Sequence, residues 1–287
     1  MYNYYGDNVK IKTWVKALIF FIILITLIFI YGRYINTKEF KVKEYNIINK
    51  NIPDNFYGVK IVQISDIYYK PSNKNILKKA VEEINKIKPD IVILSGDLLN
   101  SKINYSDKDL EDLKNILKDI DYNIGKFAIK GENDSNKKWL DIIDGSDFTD
   151  LNNKYEYIYN NGLEPILIVG ISSNYKKNHI ESDINDIYQN LNTDYKYSIL
   201  VLHEADFIDY IDYSKFNLIL AGHTLNGQVK IPFIGGIIRD NYSKKYYDEY
   251  YDLDSSKLYI TSGISTNNFN FRILNSPSIN LYRLRNK

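Results

Sequence analysis

Residues 90–100 read DIVILSGDLLN, an unbroken apolar run that stops at Gly96-Asp97. Such a run suits a strand buried on both faces, because side chains pointing either way must meet apolar neighbours. The Gly-Asp pair marks the turn where the chain leaves the sheet. Upstream, YGVKIVQI at 57–64 is a second β-rich stretch ending at Ser65-Asp66. Between the two, Ser72 offers an N-cap, and Ile76, Leu77, Ala80, Val81, Ile84 and Ile87 share one helical face until Lys88-Pro89 stops the run. Downstream, Ser106 opens a helix carrying Leu110, Leu113, Ile116, Leu117 and Ile120, and KFAIKG at 126–131 follows as a strand.

This β-α-β-α-β series continues with predicted strands at 156–160, 165–170, 197–203, 217–223 and 257–263. The last quarter is mostly strand, so the expected fold class is α/β with two packed mixed sheets flanked by helices, and not one doubly wound sheet. Asp66, Asp97, His203 and His223 each end a predicted strand, the edge at which open α/β sheets bind ligands.

Composition narrows the chemistry. The 37 basic and 36 acidic residues leave a formal charge of +1, which indicates no nucleic-acid partner. The absence of cysteine excludes disulfides, thiolate zinc sites and thiol catalysis. Soft or borderline metals would have to use the three histidines, His179, His203 and His223. His179 sits in the polar stretch SSNYKKNH and is expected in a surface loop.

Near the amino terminus VKALIFFIILITLIFIY, residues 15–31, is long enough to cross a bilayer, with Trp14 and Tyr31 at interfacial depth and Lys16 able to snorkel. A cleaved signal peptide is the alternative, but Gly32-Arg33-Tyr34-Ile35-Asn36 offers no pair of small residues at cleavage spacing. The expected organisation is a tail at 1–13, an anchor at 14–34, a tether at 35–55 and a soluble domain at 56–287, held at the cell membrane by a single pass. Lysines and arginines balance across the anchor, so charge does not orient it.

The segments ISDIYY (64–69), LSGDLLN (94–100), KGENDS (130–135), VLHEADF (201–207) and AGHTLNGQ (221–228) occur in the order and context of the five motifs of the calcineurin-like metallophosphoesterases. The chain resembles that superfamily over about residues 57–285, and TSGISTNNFNFRILNSPSI (261–279) is similar to the tail of its membrane-associated branch. The resemblance implies a four-layer αββα sandwich and a centre of divalent metal, manganese, iron or zinc, that activates water for attack on a phosphoric ester. It also implies a domain facing outside the cytoplasm, and the anchor suggests a phosphorylated lipid or envelope substrate.

By position, the resemblance gives one metal site as Asp97, Glu132, His203 and His223, with Glu132 replacing the usual Asn. A one-residue slip would put Asn133 at that ligand position instead. The other site would use Asp66 and Asp97, but Tyr68 and Leu225 stand where two histidines are expected, so one cation is expected to bind tightly and a second is in doubt. Asn133 stands where the family has a proton-handling histidine, and Asp134, which would orient it, is expected to lack its usual partner.

Each residue also has a plainer reading: Asp97 as a turn residue, the histidines as core residues, Tyr68 as packing, Asn226-Gly227 as a hairpin turn, and Arg272, which could contact a substrate anion, as an exposed strand residue. Two functions follow, a membrane-anchored phosphoric ester hydrolase with a partly lost second metal site, or an inactive relative kept as a binding or scaffold module.

Overall fold

The computed structural model describes residues 12–38, 40–134, 137–173, 180–191, 194–239, 241–266 and 269–287. Helix α1 (Thr13–Ile30) comes first and continues as a π-turn to Ile35. Strands β1 (Lys41–Ile48) and β2 (Lys60–Ile64), helix α2 (Lys74–Ile87), strand β3 (Ile91–Ser95), helix α3 (Asp107–Lys118) and strand β4 (Gly125–Ile129) follow. Next are α4 (Trp139–Gly145), β5 (Thr149–Asp150), β6 (Lys154–Ile158), β7 (Ile166–Ile171), α5 (Ile180–Asn190), β8 (Tyr197–Leu202) and β9 (Leu218–Ala221). The chain closes with β10 (Lys230–Ile231), β11 (Gly235–Gly236), β12 (Tyr250–Leu253), β13 (Ser256–Ile260) and β14 (Ser278–Arg285).

Twelve of these strands build two six-stranded mixed sheets, ordered β1-β14-β2-β3-β4-β5 and β12-β13-β9-β8-β7-β6, and β10 pairs with β11 in a separate hairpin. The inner layer packs Ile61, Ile93 and Ile129 of the first sheet against Ile168, Val201 and Leu220 of the second. Outside the first sheet, α2, α3 and α4 bring Leu77, Leu113 and Ile142 onto Val62, Val92 and Leu94. Outside the second, Ile184 and Ile187 of α5 lie on Leu167, Leu200 and Ile219. The result is the expected four-layer αββα arrangement, driven by burial worth about 1.5–3 kcal/mol for each large aliphatic side chain.

Local signals explain most elements. Ser106 caps α3 by accepting from the Asp109 amide at 3.2 Å, while Asp109 accepts from the Ser106 amide at 3.0 Å. Helix α2 starts two residues after the anticipated cap, following a 3-10 turn at Pro71–Asn73. It ends at Lys88 in a left-handed conformation, φ 53°, just ahead of Pro89.

The first boundary needs correction. The stretch expected to be a tether contains β1, which pairs in parallel with β14 from Lys41 opposite Ser278 to Ile48 opposite Arg285. Its sequence KVKEYNII lies on a sheet edge and buries little, so charged and polar residues are tolerated there and it reads as linker. The sheet therefore begins near the end of α1.

The helix Thr13–Ile35 is long and apolar enough to cross a membrane, and none of its most apolar stretch is buried among the described residues. Its last turn does dock. The Arg272 amide donates to the Gly32 carbonyl at 3.0 Å, Asn36 Nδ2 donates to the Arg272 carbonyl at 3.0 Å, and Phe29 stacks on Phe271 with centroids 5.5 Å apart.

Candidate metal centre

Five loops meet at the carboxyl ends of β2, β3, β4, β8 and β9. They are laced together by backbone bonds that continue the sheets. Asp66 and Tyr68 donate their amides to the Gly96 and Asp97 carbonyls, both at 3.0 Å, and Gly222 donates to the His203 carbonyl at 3.0 Å. The backbone is strained here: Asp66, Tyr68, Asp97, His223, Leu225 and Asn226 all have φ between 41° and 63°. Asp and Asn tolerate that region, but Tyr68, His223 and Leu225 each pay about 1–3 kcal/mol of conformational strain there, a pattern that gathers at functional sites. Close approach also demands glycine, since a Cβ on Gly131 would fall 2.3 Å from Asp97 Oδ1.

Asp97, His203 and His223 are buried, and each offers a ligand atom within 4.8 Å of the others. Both imidazoles are held by one nitrogen. His203 Nδ1 donates to the Ser95 carbonyl at 2.7 Å, which turns Nε2 toward Asp97 Oδ2 at 3.2 Å. His223 Nε2 donates to the Asn241 carbonyl at 2.6 Å, and its Nδ1 is buried with no partner. Fixing one ring nitrogen on a carbonyl and presenting the other is how histidine is prepared for a metal.

A second group, Glu132, Glu204 and His223, satisfies the same distance limit and shares His223 with the first. Glu204 is buried; one of its oxygens accepts from Ser173 and the other, Oε2, has no partner. Glu204 is not among the residues expected at the site. Its only signal was an acid directly after the strand-end histidine in VLHEADF.

The remaining expected residues are placed as follows. Asp66 is fully buried beside the centre, with Oδ1 4.0 Å from His203 Nε2, Oδ2 accepting from the His223 amide at 3.2 Å, and the Tyr68 hydroxyl donating to Oδ1 at 3.3 Å. Tyr68 and Leu225 are buried too. A Cβ added to Gly263 would touch both Asp66 Cβ at 2.6 Å and Leu225 Cδ2 at 2.9 Å, so the leucine side chain crowds the flank of Asp66. Asn133 donates its main-chain amide to Asp97 Oδ1 at 2.8 Å and its side-chain amide to Oδ2 at 2.9 Å.

Asp134, without the histidine that would be its usual partner, accepts instead from the amides of Leu99 at 2.8 Å, Gly131 at 2.9 Å and Leu98 at 3.3 Å, and so clamps the β3 loop to the β4 loop. One expectation is overturned. Arg272 is not an exposed strand residue. It is completely buried, with Nη2 donating to the carbonyls of Ser265 at 2.6 Å and Ser262 at 2.7 Å, because the 262–265 turn curls its carbonyls into a cup. The Asn226-Gly227 turn does form, with the Gly227 amide on the Thr224 carbonyl at 2.9 Å. His179 lies outside the described residues.

Electrostatics favour a cation. Burial alone would raise the Asp97 carboxyl, but His203 and the two Asn133 amides outweigh it and hold it at about 2. Burial likewise works against a charged His203, yet Asp97 and Asp66 lift it well above the ordinary imidazole value. Asp66 and Glu132 are pushed up, first by burial, with Asp97 adding to the effect in both. Burial, with Asp97 second, raises Asp134 to about 7. Carboxylates thus outnumber imidazoles in a buried space, and orphaned atoms on His203, His223 and Glu204 face it. This mixed nitrogen and oxygen donor set fits a borderline divalent ion such as manganese, iron or zinc.

The model of the calcineurin-like phosphoesterases matches residues 59–227, a stretch that holds all five loops. The chain belongs to this family. Among its phosphoesterase relatives, an uncharacterized metallophosphoesterase, YkuE of Bacillus subtilis, is 28% identical over 271 residues, covering 89% of each chain. The UDP-2,3-diacylglucosamine pyrophosphatase LpxG of Chlamydia muridarum is 34% identical over 80 residues, 27% of this chain and 23% of that protein. Among solved structures, TT1561 of Thermus thermophilus aligns with a TM-score of 0.52 at 13% identity, over 72% of this chain and 90% of that one, a likeness of fold alone. The phosphoesterase fold thus accounts for the two sheets, and the motif loops for the centre at their ends.

Proposed function

We propose that the protein is a membrane-anchored, metal-dependent phosphoric ester hydrolase that works with one tightly held divalent cation. The observation that carries this reading is the pair of buried imidazoles, each tied to a carbonyl by one nitrogen and offering the other to the space beside Asp97. In this reading Asp97, His203 and His223 hold the ion, and Glu132 and Glu204 complete or extend its shell. The bound ion would supply Lewis-acid polarisation of a phosphoryl oxygen and lower the pKa of water.

The protein's own residues position that chemistry. Asn133 fixes both oxygens of Asp97, and Asp134 holds the two loops that carry them. Asn133 cannot transfer protons near neutral pH, so the leaving group departs without the help a histidine would give there, and turnover is expected to be slow. Tyr68 and Leu225 remove two ligands from the neighbouring position around Asp66, which argues for a partly lost second site. The apolar length of Thr13–Ile35 supports anchoring, and the bonds from Gly32 and Asn36 into the domain favour an uncleaved helix over a signal peptide. A lipid-linked phosphoric ester is the substrate class that fits an anchored domain, and the short match to a lipid-related pyrophosphatase is in keeping with it. The domain is assigned to the outer face of the membrane on the resemblance of its tail to membrane-associated relatives.

The test is turnover of bis-nitrophenyl phosphate with manganese, comparing the wild-type chain with His223→Ala. Activity lost in the variant supports hydrolysis at this centre; equal rates contradict it. The second reading, an inactive scaffold, rests on Tyr68, Leu225 and Asn133 standing where the family keeps catalytic groups. Wild-type protein that binds manganese but never turns over would favour it.

A further inference from the structure

A cavity of about 400 Å³ lies where the end of α1 meets the domain. Its walls include Arg33, Lys38, Lys70 and Arg272, together with Ser72 and Thr266, and no carboxylate lines it among the described residues. Four basic side chains around one small space draw an anion to it. Arg272 is fully buried, and its Nε and Nη1 have no hydrogen-bond partner. Burial draws the Arg272 guanidinium down to about 10, against the opposing effect of Asp66.

The position of the cavity identifies the source of the anion. Phe271, next to Arg272, stacks on Phe29 within the apolar stretch of α1, so this part of the domain lies at the depth where the helix leaves the hydrocarbon layer. Phe269 and Leu274 of the same segment are exposed. Val229 bridges to Ile273, and the hairpin that follows it exposes Phe233 and Ile234 at its tip. Apolar side chains beside a basic cavity at the exit of a spanning helix are what a bilayer surface with anionic headgroups would meet.

We propose that this cavity binds a phosphate group, that of an anionic lipid in the bilayer that α1 spans, at a site separate from the metal centre. The proposal rests on the reading of α1 as a membrane anchor. It places the domain flat on the headgroup layer, with the loop from Asp66 to Tyr68 directly behind the cavity wall: Asn73, which lines the cavity, donates to the Tyr68 carbonyl at 3.2 Å, and the Ser265 amide donates to the Asp66 carbonyl at 2.9 Å.

The experiment is calorimetric titration of the full chain in neutral detergent with EDTA present, using dihexanoyl phosphatidic acid, dihexanoyl phosphatidylcholine and inorganic phosphate as probes. Saturable binding of phosphatidic acid, about tenfold or more weaker in a Lys38→Gln/Lys70→Gln variant and unchanged in His223→Ala, is the expected result. Inorganic phosphate binding as tightly, with the same dependence on Lys38 and Lys70, would support the phosphate site but make a free anion its ligand. Binding of none of the probes, equal binding of phosphatidylcholine, or binding indifferent to the double substitution would overturn the proposal. Ester turnover is measured separately, so a chain that binds phosphatidic acid but hydrolyses nothing counts against the hydrolase reading alone.

Discussion

Asn133 grips Asp97 with two amides, one on each carboxylate oxygen, at 2.8 and 2.9 Å. In the proposed reading this asparagine replaces a proton-transferring histidine, and its side-chain amide is bound to the central carboxylate. Because Oδ2 also faces His203 Nε2 at 3.2 Å, its lone pairs are spoken for by the side-chain amide and by whatever lies toward the imidazoles. Asn133→Ala should therefore loosen Asp97 and weaken manganese binding by about tenfold, the usual cost of removing an outer-shell partner. Equilibrium dialysis against manganese checks this.

The Asp134 clamp predicts a loss of stability. Asp134→Ala leaves three main-chain amides without an acceptor, two of them in the loop after Asp97. The expected cost is about 3 kcal/mol, or a melting temperature lower by roughly 6–12 °C. Calorimetry of the EDTA-treated chain is the check, and a shift within about 1 °C of the wild type would remove Asp134 from the account.

Stability should depend on pH in opposite ways with and without metal. His203 titrates above its ordinary 6.5 in the fold, so its contribution is full below 6.5 and is lost as pH rises through the folded value. Asp97 titrates at about 2 against an ordinary 3.8, so its contribution is full above 3.8 and is lost only as pH falls through about 2. Asp134, raised to about 7, acts in the same sense as His203. The metal-free chain should therefore be most stable near about pH 4, lose the Asp134 contribution as pH rises toward about 7, and lose the His203 contribution at higher pH still. Manganese displaces the His203 proton, so the thermal shift it produces should be larger at about pH 8 than at about pH 6.

Restoring side chains tests the second site. Tyr68 and Leu225 retain the left-handed backbone of the motif loops, at φ 41° and 49°, although their side chains cannot ligate as imidazole does. Tyr68→His with Leu225→His should add about one more manganese per chain, and adding Asn133→His should raise turnover. Metal analysis and the bis-nitrophenyl phosphate assay read the two effects independently.

The parts of this arrangement legible in the sequence are those where local pattern and tertiary role coincide. Asp97, His203 and His223 each close an apolar run, so their convergence follows once the strands are neighbours in their sheets. Glu204 carried no such mark, and its hydrogen-bond partner Ser173 lies on the loop after a different strand. Strand β1 was hidden by its polar edge sequence and by a partner at the far end of the chain. Arg272 was misjudged because the carbonyl cup that buries it is built by the turn at 262–265, which has no signature of its own in sequence.

The central claim is that Asp97, His203 and His223 share one catalytic cation. Its most direct test is manganese content after dialysis of the full chain, measured beside His203→Ala and His223→Ala. The expected result is about one tightly held manganese in the wild type and none in either variant. Equal metal in all three proteins, or none in the wild type, would contradict it.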